Sequence, residues 1–280
     1  MRHAKSIIPI LSLCVLGIYL FATAPTPLPD TDRLAGKTLP VEILFEILAR
    51  EQATARATYN RDIVGPGLAS GMKFDESWKE AGVEAGPLPA VLLREVASRL
   101  QRSGSEVGLF LGSDFPISPV NQFSGVQLKY FETIKISGAP QFFKDDSTQS
   151  YTGMFLDPAG APACVTCHNL HPKSAKRDWQ LNDPMGATTW LYPRGEVSVE
   201  ETLSRVTDLR IAIRGAYQAY LDHVSTFTKQ KPTIGSRWPK DGMYVPDTET
   251  FMRTVVAQAS PKTLELLLKN AGKKNAVQTR

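Results

Sequence analysis

The sequence predicts an α+β fold, a small antiparallel sheet flanked by helices. Three observations predict it: apolar residues recur at helical spacing in several long stretches, strand-like runs are short and grouped mid-chain, and a long amphipathic helix follows them. The order is helices, strand, helix, two strands, a loop, strand, long helix.

Over residues 33–64, Val41, Leu44, Leu48, Ala55, Tyr59 and Ile63 recur three, four or seven residues apart, and Gly65-Pro66-Gly67 is expected to end the helix. A second helix starts near Pro89 and stops by Gly104, with Leu92, Val96 and Leu100 on one face. Residues 106–113 read as a strand, and 118–134 as a third helix with Phe123, Val126, Tyr130 and Ile134 along one side. Two strand-like runs follow at 139–144 and 150–156, then a cysteine-bearing loop, then a last strand from Gly186. The clearest helix spans 198–227, with Ser198 and Glu201 as a capping box and a stripe from Val199 through Leu203, Val206, Leu209 and Ile213 to Phe227. That stripe suits either the domain's own core or a seam with a partner. Residues 234–247 carry turn signals. A final helix is expected from Ser260 as its cap, through Pro261 in the first turn, to Gly272, with a disordered tail after it.

The N-terminus is basic through Met1–Lys5 and then apolar over residues 7–24. Eighteen helical residues span roughly 27 Å, enough for a bilayer core. Small residues at the end of this run resemble a signal-peptide cleavage site, but Pro25 directly follows, which favours an uncleaved anchor. Cys14 reads as an apolar residue of this segment, because Leu13 before it is too large for lipoprotein processing. The positive-inside rule puts the rest of the chain outside the cytoplasm, so the expected location is the periplasm, anchored to the inner membrane or released if cleaved. Residues 25–32 are a stiff Pro-rich spacer.

A net charge of +4 with no basic run interleaved with aromatics gives no support for nucleic-acid binding. Three cysteines are too few for a disulfide-built scaffold. There is no nucleophile elbow, no His-Glu-x-x-His and no phosphate-cradling glycine loop, and the adjacent pairs Asp145-Asp146 and Glu200-Glu201 point apart; no enzyme is predicted.

Residues 162–179 hold Cys164, Cys167, His168 and His171. Cys164-x-x-Cys167-His168 is the signature for c-type haem attachment. Two thiols spaced so that both reach the vinyl groups of one porphyrin edge are followed at once by an imidazole for the iron, which makes His168 the metal ligand. Such attachment takes place outside the cytoplasm, the compartment that the N-terminus predicts. Two other readings stay open. Zinc could take all four residues, although structural zinc sites draw ligands from separated segments. A Cys164–Cys167 redox pair of the thioredoxin type would sit at a helix N-terminus after a strand, whereas the residues before Cys164 read as loop.

The same stretch resembles a bacterial single-haem c-type domain family, catalogued as of unknown function and found as the extracytoplasmic module of sensor kinases and nucleotide cyclases and as stand-alone proteins. The resemblance rests on Cys164, Cys167, His168, Asn169, His171, Pro172, Ser174, Lys176, Asp178, Trp179 and Gly186, and extends over roughly residues 33–195. Asn182-Asp183 departs from the Gly-Asp common in that family. The resemblance implies a PAS-like fold over 33–195, with 196–280 as a helical extension. One covalent haem c is the expected cofactor. The expected function is sensing of redox state or a small ligand for a signalling or redox partner, with a homodimer as an option. A monohaem electron carrier and an exported non-haem ligand-binding module are the alternatives. Lys173, Lys176 and Arg177 could pair with haem propionates or form a solvated face, and Trp179 could pack on the macrocycle or fill core. For the sixth iron ligand, His171, His223, Met72, Met154 and Tyr59 are candidates beside an open site.

Overall fold

The computed structural model describes residues 36–271. The anchor at 7–24, the spacer at 25–32 and the tail lie outside them. No helix among the described residues is long and apolar enough to cross a membrane.

A short strand, β1 (Thr38–Pro40), leads into α1 (Val41–Tyr59), which buries Leu44, Phe45, Ile47, Leu48 and Tyr59. Contrary to expectation, Gly65-Pro66-Gly67 does not end this helix. A π turn (Asn60–Val64) passes into α2 (Gly65–Ala69). The Gly65 N–H reaches back five residues to the Asn60 carbonyl, a widening that seats the Pro66 ring without breaking the chain's course.

The chain continues through β2 (Phe74–Asp75), β3 (Gly86–Pro87), α3 (Pro89–Arg102), β4 (Gly108–Gly112), α4 (Gly125–Ser137), β5 (Gln141–Asp145), β6 (Ser150–Pro158), α5 (Pro162–Leu170), β7 (Pro184–Tyr192), β8 (Glu196–Ser198), α6 (Val199–Ser225), β9 (Thr233–Gly235), β10 (Tyr244–Pro246) and α7 (Thr248–Ala271). The expected helix at 118–134 is shorter. A single 3-10 turn over Pro119–Asn121 is followed by extended Gln122, with Ser113 donating to Asn121 and accepting from Phe123 through the backbone, so that Phe123 enters the core ahead of α4.

The main sheet is antiparallel in the order β4-β7-β6-β5. Alternation along β6 divides its faces. Met154 packs with Phe131 and Ile134 of α4, whereas a side chain on its neighbour Gly153 would strike Phe45 of α1 at 2.7 Å. The sheet thus lies between α4 on one face and α1 on the other.

The stripe of α6 is buried against α1, α3 and α7 of its own chain, with Leu203 turned outward. At its start Ser198 accepts from the Glu201 N–H at 3.0 Å, one half of a capping box, while the Glu201 carboxylate accepts from Tyr192 instead. The last helix starts at Thr248 rather than Ser260, capped by Asp247, whose carboxylate accepts from the Thr250 N–H. Ser260 is no cap; its hydroxyl accepts from Arg210. The Glu51 carboxylate is fully buried, gripped in two places by Arg210 and by the Thr263 hydroxyl, which joins α1, α6 and α7.

Residues from Thr38 onward cluster as one unit. A division at 195/196 therefore marks no structural break. β8 on its far side pairs with β1, and α6 and α7 pack on α1.

Candidate functional site

The whole CxxCH region is the connection between neighbouring strands β6 and β7. The stretch expected as loop contains a helix: Pro162 stands in the first turn of α5, where its missing N–H costs nothing. At spacings of three and four, Cys164, Cys167 and His168 fall on one helix face. Both thiols are free, Cys164 half-buried and Cys167 exposed.

Behind α5 the chain is folded back by its own side chains. The Asn169 amide donates to the Trp179 carbonyl at 3.0 Å and accepts from the Trp179 N–H at 2.9 Å. The buried Ser174 hydroxyl donates to the Lys176 carbonyl. Trp179, only 4% exposed, stands edge-on to the His168 ring at 6.4 Å and to Phe115 at 6.4 Å. It therefore backs the imidazole from within the protein and is already covered. Two further hydrogen bonds between Ala159 and residues 182–183 close the base of the connection. Asn182 there has φ +70, a left-handed position that Asn adopts more readily than other side-chain-bearing residues. Gly186 is needed for close approach, since a Cβ would stand 2.5 Å from the Gly112 carbonyl oxygen.

The two nitrogens of His168 differ. Nδ1 is buried without a partner, while Nε2 makes no hydrogen bond and is not among the buried unpaired atoms, so it is the reachable one. Burial first, then the neighbouring His171 and Arg94, hold the imidazole below its ordinary range, with Asp157 acting the other way. The shift favours the neutral ring, with Nε2 at the surface. Burial, Glu76, Cys164 and Asp75 all push the Cys167 thiol up, which keeps it protonated.

Past the end of α5, at His171 and Lys173, lies a cleft of about 550 Å³ that Cys164, Cys167 and His168 do not themselves line. Its walls come from the turn after β2, from α3, from residues 117–119 and from His171 and Lys173. His171 takes a hydrogen bond on Nδ1 from the Lys173 N–H, so Nε2 carries the proton and donates to Glu76 at 3.0 Å. The segment after the CxxCH motif is thereby clipped to the turn after β2. Glu76 and Arg94 had no signal near the CxxCH motif, since only the fold brings them there from far along the chain.

The other candidates for iron are placed elsewhere. Met154 is fully buried in the core under α4. Tyr59 is fully buried and donates to the Pro87 carbonyl, and Met72 is buried against Gly67. The His223 ring packs on Trp78 and Phe227, with Nε2 2.9 Å from the Val83 carbonyl. Of the basic residues after the motif, Lys176 is paired with Asp178 and lies over the Trp179 ring, and Arg177 donates to the Pro172 carbonyl.

Among the described residues no three His, Cys, Asp or Glu side chains converge to hold a metal ion, and His171 turns to Glu76. The zinc arrangement is not assembled. The objection to a thioredoxin-type pair that rested on a preceding loop does not hold, since α5 does follow strand β6.

No family model, curated protein or solved structure matches this chain. The reading of its function therefore rests on its own residues.

Proposed function

We propose that this chain is an extracytoplasmic protein carrying one covalent haem c on Cys164 and Cys167, with His168 as axial ligand, and that it reports redox state or a small ligand to a partner protein. The observation that carries the reading is the single face of α5 that presents two free thiols and a neutral imidazole with reachable Nε2. Attachment needs each thiol S–H to add across a vinyl C=C, sulfur to the inner carbon and hydrogen to the outer, with no oxidant. A bound haem would supply one-electron chemistry and a site for an axial ligand. Trp179 fixes the imidazole's orientation, and His171 with Glu76 holds the loop against the cleft wall. Of the sixth-ligand candidates only His171 lines the cleft, and its Nε2 is turned to Glu76, which supports an open sixth position and so a sensor of small ligands. The four-stranded antiparallel sheet, first strand beside last, supports the PAS-like part of the reading. The N-terminal basic and apolar run supports the extracytoplasmic location.

Haem staining of the denatured full-length chain tests this. Stain is expected for the native sequence and lost in Cys164→Ala/Cys167→Ala; stain that survives the double substitution would refute the attachment. A monohaem electron carrier is the second reading. It is favoured by the edge-on run from His168 through Trp179 to Phe115, which is 42% exposed.

A further inference from the structure

We propose that the cleft past the end of α5 is a binding site for a small acidic amino acid, a ligand with two carboxylates and one ammonium. The site stands apart from the haem attachment, since none of Cys164, Cys167 or His168 lines it. Its volume of about 550 Å³ lies within the usual range of small-molecule pockets. The inference starts from which charges on its walls already have partners.

Two contacts tie the walls together. His171, after α5, meets Glu76 in the turn after β2 at 3.0 Å. Lys79 in that turn meets Glu95 of α3 at 2.5 Å, and Arg99 holds the same carboxylate at 3.0 Å. These groups are occupied by the protein itself. What remains is one charged side chain on each of three walls: Glu80 in the turn, Arg94 on α3 and Lys173 after α5. All three line the cleft, all three are exposed, and among the described residues none of their charged groups has a hydrogen bond or ion pair. A free charge on a flat surface is ordinary, because water and salt screen it. Here each one adjoins a group that ties the walls. Glu80 follows Lys79, Arg94 precedes Glu95, and the Lys173 N–H donates to the His171 ring at 3.2 Å. Three free charges are thereby held around one concavity.

Two free cations and one free anion are matched in number and sign by two carboxylates and one ammonium. The planar Arg94 guanidinium suits a carboxylate in two-point contact, and Lys173 supplies a mobile point charge for the other. The Glu80 carboxylate accepts from the ammonium. Trp78, Val91 and Ile117 give the short methylene chain an apolar wall. Trp78 is 3% exposed and backed edge-on by the His223 ring at 5.5 Å, so packing fixes that wall in place. A dicarboxylate without an amine would leave Glu80 facing like charge, and an amino acid with one carboxylate would leave a cation unmet. His171 also joins the site to the motif, because its N–H donates to the Cys167 carbonyl at the end of α5 while its ring holds Glu76.

Calorimetric titration of the full-length chain with L-glutamate and L-aspartate tests the site, with glutarate and γ-aminobutyrate as comparators. One of the two acidic amino acids should bind, and both comparators should bind several-fold more weakly. Arg94→Gln and Lys173→Gln should each weaken the amino acid several-fold. Glu80→Gln should weaken the amino acid and strengthen glutarate, while Arg177→Gln, outside the cleft, should change neither. Melting of the ligand-free variants should stay at the native value, because none of the three residues has a partner to lose. Binding should persist in full-length Cys164→Ala/Cys167→Ala. A chain that binds the amino acid but carries no haem would leave this site standing and overturn the haem reading alone. Silence with both acidic amino acids, equal affinity for glutarate, or affinities unmoved by the three cleft variants would overturn the site, whatever the haem stain shows.

Discussion

Asn169 and Trp179 are joined by two hydrogen bonds across ten residues, the side-chain amide of one matched to the backbone of the other as in a single rung of sheet. This rung holds Trp179 behind His168. Asn169→Leu removes both bonds and leaves backbone groups unpaired beside a buried ring, so a loss of about 1–3 kcal/mol is expected in denaturant unfolding. Asn169→Asp keeps the acceptor and should lose less. Equal stability of Asn169→Leu and the native chain would count against the rung.

His168 is expected to set the spectrum of the haem without being needed for its attachment. His168→Ala should retain haem stain but show altered absorption in both oxidation states. An unchanged spectrum would remove its axial role. The native ferrous form should bind CO readily, because Met154, Tyr59, Met72 and His223 are engaged elsewhere and His171 is turned to Glu76. A CO-resistant spectrum would instead favour the carrier reading.

Glu51 sits at 0% exposure with its charge met by Arg210 and Thr263. Arg210→Met strands that carboxylate, at a cost of about 3 kcal/mol, the low end of the usual range because Arg210 is itself partly exposed. Glu51→Met combined with Arg210→Met should recover much of the loss in a double-mutant cycle. Simple additivity of the two single losses would contradict the pairing.

Glu84 accepts from the N–H groups of Thr228, Lys229 and Gln230 and from the Thr228 hydroxyl, just beyond α6. These bonds, the Thr228 N–H first, lower its pKa from 4.5 to about 2. In the unfolded chain the group binds a proton at higher pH, so between about 4.5 and 2 the unfolded state holds more protons. The contribution to stability is present above that window and is lost as pH falls through it. A carboxyl chemical-shift titration should give the depressed value, and Glu84→Gln should flatten the acid limb of the stability profile. An ordinary carboxylate titration would sink the tether.

Much of the helical framework was legible because its apolar residues recur at fixed spacing: Leu92, Val96 and Leu100 in α3, and the stripe from Val199 to Val224 in α6. The CxxCH residues were legible because their chemistry is local. What the sequence hid were places where two local rules compete. Pro66 and Pro261 read as helix boundaries, yet a π turn precedes one and tertiary packing on α1 carries the helix through the other. Pro162 was a start signal for α5, overlooked because a nine-residue helix shows little periodicity. The cleft was invisible for a different reason. Glu76, Arg94 and His171 meet only after strands β6 and β7 pair, and no spacing along the chain encodes that.

α1 and α7 meet through Thr58 with Gln258 and Glu51 with Thr263, contacts separated by 200 and 212 residues. That embrace has a consequence in time. About a hundred residues separate the CxxCH motif from the end of α7, a synthesis interval of roughly 5–20 seconds at about 5–20 residues per second. Throughout that interval the motif exists while the domain still lacks the helix that satisfies Glu51. The motif is thus complete well before the helix at 248–271 is there to pack on α1.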